Sequence, residues 1–163
     1  MLNELLNLDV LFLNDCGNED WIKEDKPLNI YEFYGRILDF VNPFNFEYVL
    51  GSYCGGYDTY HWFKEKYPNL IQVTNLSHFT KIVPKNSNIL VAGAAWNICL
   101  HHNKYFSFNN LHNASYNIYS HPNIVDTQRH KTNRVTDKMF LDDNWKPVDN
   151  LYLKVFNEKE LNI

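Results

Sequence analysis

The sequence predicts an α/β domain: three layers, doubly wound, with a mostly parallel sheet and helices on both faces. Three observations predict it. Short apolar runs rich in β-formers alternate with segments of helical spacing, the pattern of a parallel sheet with crossover helices. Proline, glycine and asparagine punctuate the boundaries between them. With 163 residues, 45% hydrophobic and 16% aromatic, the chain is long enough for one core and too apolar for disorder. A single domain over residues 1–163 follows.

The elements are read in chain order. Residues 8–14 (LDVLFLN) form an apolar run that ends in the turn cluster Asp15, Cys16, Gly17, Asn18, so a strand is expected there. Ile30, Phe33, Tyr34, Ile37, Leu38 and Val41 recur at helical spacing, and Asn42–Pro43 stops that helix. Residues 46–53 (FEYVLGSY) read as a second strand. Residues 58–67 read as a short aromatic helix halted by Pro68, and residues 70–74 as a third strand. A short helix over 77–83 precedes the strand beginning at Asn88. Residues 116–120 read as a fifth strand, a helical turn is expected near 134–140, and residues 151–156 (LYLKVF) as a last, edge strand.

Composition excludes several classes of function. The net charge of −4 includes no block of like charges, so no electrostatic footprint for nucleic acid or an anionic membrane is present. No apolar run is long enough to span a bilayer. Residues 1–16 lack the basic start and small-residue cleavage site of a secretory leader. Three scattered cysteines make no disulfide framework, and a reducing, cytoplasmic setting is the expectation.

The chemistry centres on residues 88–102, NILVAGAAWNICLHH. A short apolar run reads as a strand buried on both faces. Gly93, Ala94 and Ala95 then allow a sharp turn and close approach of another group. Residues 96–102 have helical character, with Cys99 near the start. There the unpaired backbone N–H groups and the helix dipole favour thiolate over thiol, and the thiolate is the nucleophile. The competing reading is an inert cysteine packed in the core.

At Gly93–Cys99, GAAWNIC, the sequence resembles the isochorismatase-like cysteine hydrolases, which include the nicotinamidases. Gly93, Ala95 and Cys99 fit the family pattern; Trp96 stands in place of its threonine. The resemblance implies that Cys99 is the nucleophile and that a cis peptide joins Ala94 to Ala95, aiming the Ala94, Ala95 and Cys99 backbone at an oxyanion. In FLNDCGNED it implies that Asp15, at the end of the first strand, is the general base. First and fourth strands are neighbours in a doubly wound sheet, so the two groups would meet. The family lysine ahead of an S-x-F segment has no counterpart before Ser77, His78 and Phe79; Lys64, Lys66 and Lys81 do not match.

Other candidates are weaker. Asp58 and His61 sit three apart on one turn; two ligands do not make a metal centre, and neither a metal nor another cofactor is expected. Trp96 and His121 could line a substrate pocket. Tyr53, Tyr57, Tyr60 and Trp62 fit a pocket wall or partner surface as well as core packing. Two functions therefore stand. One is a thiol hydrolase acting on a small amide or related C–N or C–O bond. The other is an inactive scaffold of the same fold used for binding or assembly. The expected partner is a small-molecule substrate, and the aromatics would allow the chain to assemble with itself.

Overall fold

The computed structural model describes residues 7–14, 30–52, 61–94, 96, 99–126 and 134–156, with the Cys99 side chain outside that description. Among the described residues the chain is a mixed sheet with helices, an α/β fold. Strands β1 (Val10–Asn14), β2 (Tyr48–Ser52), β3 (Ile71–Gln72), β4 (Asn88–Ala94) and β5 (Asn117–Ser120) are joined in parallel. Two further strands, β7 (Trp145–Val148) and β8 (Leu151–Lys154), form a hairpin, giving the order β3-β2-β1-β4-β5-β8-β7. β8 runs antiparallel to β5 and to β7.

The helices between them are α1 (Ile30–Val41), α2 (His61–Lys66), α3 (Leu76–Ile82), α4 (Cys99–His102), α5 (Phe108–Asn113) and α6 (Asp137–Asp142). α1 follows its predicted apolar spacing: Phe33, Tyr34, Ile37 and Val41 are all buried. Pro43 denies helical geometry to the residue before it, and the helix ends at Val41. α3, α5 and α6 each start on a side-chain cap. Asn75, Ser107 and Thr136 accept hydrogen bonds from the N–H groups of His78, Asn110 and Met139.

β1 and β4 carry the core. Their side chains are buried nearly throughout, as a strand covered on both faces requires. Alternate residues of β1 go to different clusters. Leu11 and Leu13 pack with Phe33, Ile37 and Phe63 from α1 and α2. Val10 and Phe12 pack with Phe79, Leu100, Phe108 and Phe140 from α3 to α6.

Three features depart from the sequence expectation. Residues 151–154 are not an edge strand, because β7 pairs outside them. Pro147 explains the arrangement: it has no N–H for a ladder, so its strand belongs at the rim. α5 was not predicted, since its Asn-rich sequence FNNLHN has little helical propensity. The third is β6 (Val125–Asp126), which resumes beside β4 after a 3-10 turn at Pro122–Ile124. β4 thus pairs β5 through Asn88–Leu90 and β6 through Gly93 and Ala94, with the turn looped out of the ladder.

Candidate functional site

The strand order reverses direction between β1 and β4, and in open parallel sheets ligands bind outside the carboxyl ends of the strands at such a point. The seam there is tight. Asn14 lies opposite Gly93, with β1 and β4 parallel. Gly93 has φ +135°, and a Cβ at that position would lie 1.9 Å from the Asn14 carbonyl oxygen. Only glycine fits, for both conformation and space. Sequence reasoning gave this position a small residue; the physical cause is the carbonyl of the neighbouring strand.

Asn14 is fully buried, and its amide joins three segments. Its Oδ1 accepts from Ser52 Oγ at 3.0 Å, at the end of β2. Its Nδ2 donates to the Phe106 carbonyl at 3.0 Å, in the loop after α4. That loop is tied again by Asn103, whose Oδ1 accepts from the N–H groups of Tyr105 and Phe106 at 2.8 and 2.9 Å. The loop faces the carboxyl ends of β2 and β3 across a cleft of about 490 Å³ lined by Ser52, Gln72, Thr74, Lys104, Tyr105 and Phe106, among others. The sequence marks Ser52, Gln72 and Thr74 only as strand residues and gives Lys104, Tyr105 and Phe106 no reading, because a loop residue has no periodicity to mark it.

On the other side of the seam, Asp126 ends β6 beside Ala94. Its carbonyl accepts from Trp96 N–H at 2.9 Å, fixing the turn after β4. Its carboxylate is buried and pairs with Arg36 of α1 at 2.7 Å; Arg36 also donates to the Asn123 carbonyl at 3.1 Å.

The predicted site residues fall as follows. Asp15 and Ala95 lie outside the described residues, as does the Cys99 side chain; the Cys99 backbone opens α4. Ala94 closes β4 and is buried. Trp96 is 6% exposed and lines no part of the cleft. Its ring packs 4.5 Å from Phe140 and 4.7 Å from His101, with Phe108 and Trp145 beyond. His121 likewise stands apart from the cleft. Its Nδ1 accepts from Asn123 N–H, capping the 3-10 turn, and its ring lies 4.6 Å from Phe40. Burial lowers its pKa, against an opposing effect of Asp137. Asp58 lies outside the described residues, and so does the His61 side chain.

The aromatic cluster around Trp96 holds a second polar group. Asp143 Oδ2 meets His101 Nε2 at 2.8 Å, Trp145 Nε1 at 2.9 Å and Lys154 Nζ at 3.3 Å. His101 Nδ1 faces the Trp96 carbonyl, and Lys154 also donates to the Asp143 carbonyl. Burial pushes the Asp143 carboxyl up. The hydrogen bonds from His101 and Trp145 and the charges of His101 and Lys154 outweigh it, holding the group below its ordinary value.

Among the described residues, no group of three or more His, Cys, Asp or Glu side chains could hold a metal ion, and no helix is long and apolar enough to cross a membrane. Comparison with protein-family models, curated proteins and solved structures finds no match to this chain.

Proposed function

We propose that the chain is a three-layer, doubly wound domain of the isochorismatase-like kind, acting as a thiol hydrolase on a small amide or related C–N or C–O bond. Cys99 is the nucleophile in this reading and Asp15 the general base. The observation that carries it is the parallel pairing of β1 with β4, Asn14 opposite Gly93. β1 and β4 therefore end on the same edge of the sheet, as neighbouring strands. The layering is supported by the two clusters that divide the side chains of β1. Chemically, Asp15 takes the thiol proton, the thiolate attacks the carbonyl carbon, and backbone N–H groups after β4 receive the oxyanion. Asp15 returns the proton to the leaving amine, and water then hydrolyses the thioester.

The test is alkylation and turnover. At neutral pH, iodoacetamide should modify Cys99 well before Cys16 and Cys54. On any small amide the wild type turns over, Cys99→Ser should abolish turnover, and Asp15→Asn should lower it by about 100-fold or more. Equal alkylation of the three cysteines removes the nucleophile from the scheme.

A second reading, binding without turnover, is favoured by Thr74. It lines the cleft after β3, in the stretch where the resemblance implies a lysine. Losing one oxyanion-stabilising donor lowers a rate by about 100-fold or more. Ligand binding with no amide turnover and no selective alkylation of Cys99 would establish this reading over the first.

A further inference from the structure

We infer that the cleft between the ends of β2 and β3 and the loop after α4 binds a free purine nucleoside monophosphate, with adenosine monophosphate the best fit. The strands run 3-2-1-4-5 in parallel, the order whose carboxyl edge takes nucleotides in open α/β sheets. The cleft, about 490 Å³, opens on that edge and lies in the size range of small-molecule sites.

Its lining fits each part of such a ligand. Tyr105 is 40% exposed and offers a ring face on which a base can stack. Gln72 brings a carboxamide, the group that pairs with the N6 and N7 edge of adenine. Lys104 is among the lining residues, and its ammonium can meet an anionic group of a ligand. The Lys104 ammonium lies over the Tyr105 ring, 5.3 Å from the ring centre, so a base stacks on the opposite face or displaces the ammonium toward the phosphate. The loop that carries both is fixed by Asn103 and by buried Asn14, so less ordering is left for the ligand to induce. The chain's net charge of −4, without a basic stripe, favours a free nucleotide over a nucleic acid. The inference does not depend on thiol chemistry at Cys99, and binding is read apart from turnover.

The experiment is calorimetric titration of the full chain with adenosine monophosphate, adenosine, uridine monophosphate and inorganic phosphate. Adenosine monophosphate should bind with a submillimolar Kd, several-fold tighter than the uridine nucleotide, whose base offers less stacking surface. Phosphate alone should give no binding heat. Lys104→Ala should weaken adenosine monophosphate about tenfold and leave adenosine within twofold. Tyr105→Ala should weaken both about tenfold, and Tyr105→Phe should restore them. Lys146→Ala, on the distant edge strand, should change nothing. No binding of adenosine monophosphate at about 5 mM overturns the inference. So does phosphate binding as tightly as the nucleotide, or an unchanged affinity in folded Lys104→Ala and Tyr105→Ala proteins.

Discussion

The centre of the sheet and its carboxy-terminal side are held by different means. At the β1–β4 seam, contact is backbone against backbone: Gly93 sits on the Asn14 carbonyl with no room for a methyl group. Around β7 and β8 the contact is side chain against side chain, where Trp96, Phe108, Phe140 and Trp145 pack together and Asp143 gathers His101, Trp145 and Lys154. The first kind of contact tolerates no added volume, because a strand's main chain cannot rotate out of the way. The second spreads its energy over rings that can shift, so it weakens by degrees.

The sharpest way to break this contrast is at the seam. Gly93→Ala combines a forbidden close approach with a strained φ, and the expected loss is about 4 kcal/mol or more. It should appear as insoluble expression or a collapsed urea midpoint. On the other side, Trp145→Ala should cost about 3 kcal/mol, at the low end for an aromatic truncation because its neighbours can close in. A soluble, fully cooperative Gly93→Ala protein with a smaller loss than Trp145→Ala would reverse the ranking.

Smaller changes sharpen it. Asn14→Ala leaves the Ser52 hydroxyl and the Phe106 carbonyl without their partner, an expected loss of about 2 kcal/mol in denaturant titration. Asp143→Asn should cost about 1 kcal/mol at pH 7, because the carboxylate is about a third exposed and solvent screens it. That last effect carries a pH signature. The Asp143 carboxyl titrates lower when folded than its ordinary 3.8, so the unfolded chain holds more protons as pH falls past that value. The stabilisation is present above about pH 4 and is lost as pH drops through the folded value. Wild type and Asp143→Asn should therefore converge in stability toward acid; parallel curves would show that the carboxylate contributes no charge-dependent stability.

The central parallel half was legible in the sequence because its signals are long. The apolar runs of β1 and β4 and the spacing of Phe33, Tyr34, Ile37 and Val41 announce buried elements by pattern alone. The side held by aromatic rings was not. β7 is four residues with a proline, β6 is two, and α5 is rich in asparagine; each exists because tertiary neighbours hold it. At the site, Gly93 was legible as a small residue and Trp96 read as a pocket-lining candidate, whereas its place in the aromatic cluster depends on Phe140 and Trp145 far along the chain. Nothing in the sequence near Asn14 tells that its amide would knit β2 to the loop after α4, since the partners are 38 and 92 residues away.

The looped-out turn at Pro122–Ile124 divides the allegiance of β4. Tyr119 and Ser120 of β5 pair with β8, while Val125 and Asp126 of β6 pair with β4. The hairpin can therefore open without unzipping the ladder that frames the far end of β4. In deuterium, the backbone amides of the hairpin should exchange before those binding β6 to β4, with the rim strand β7 leading β8.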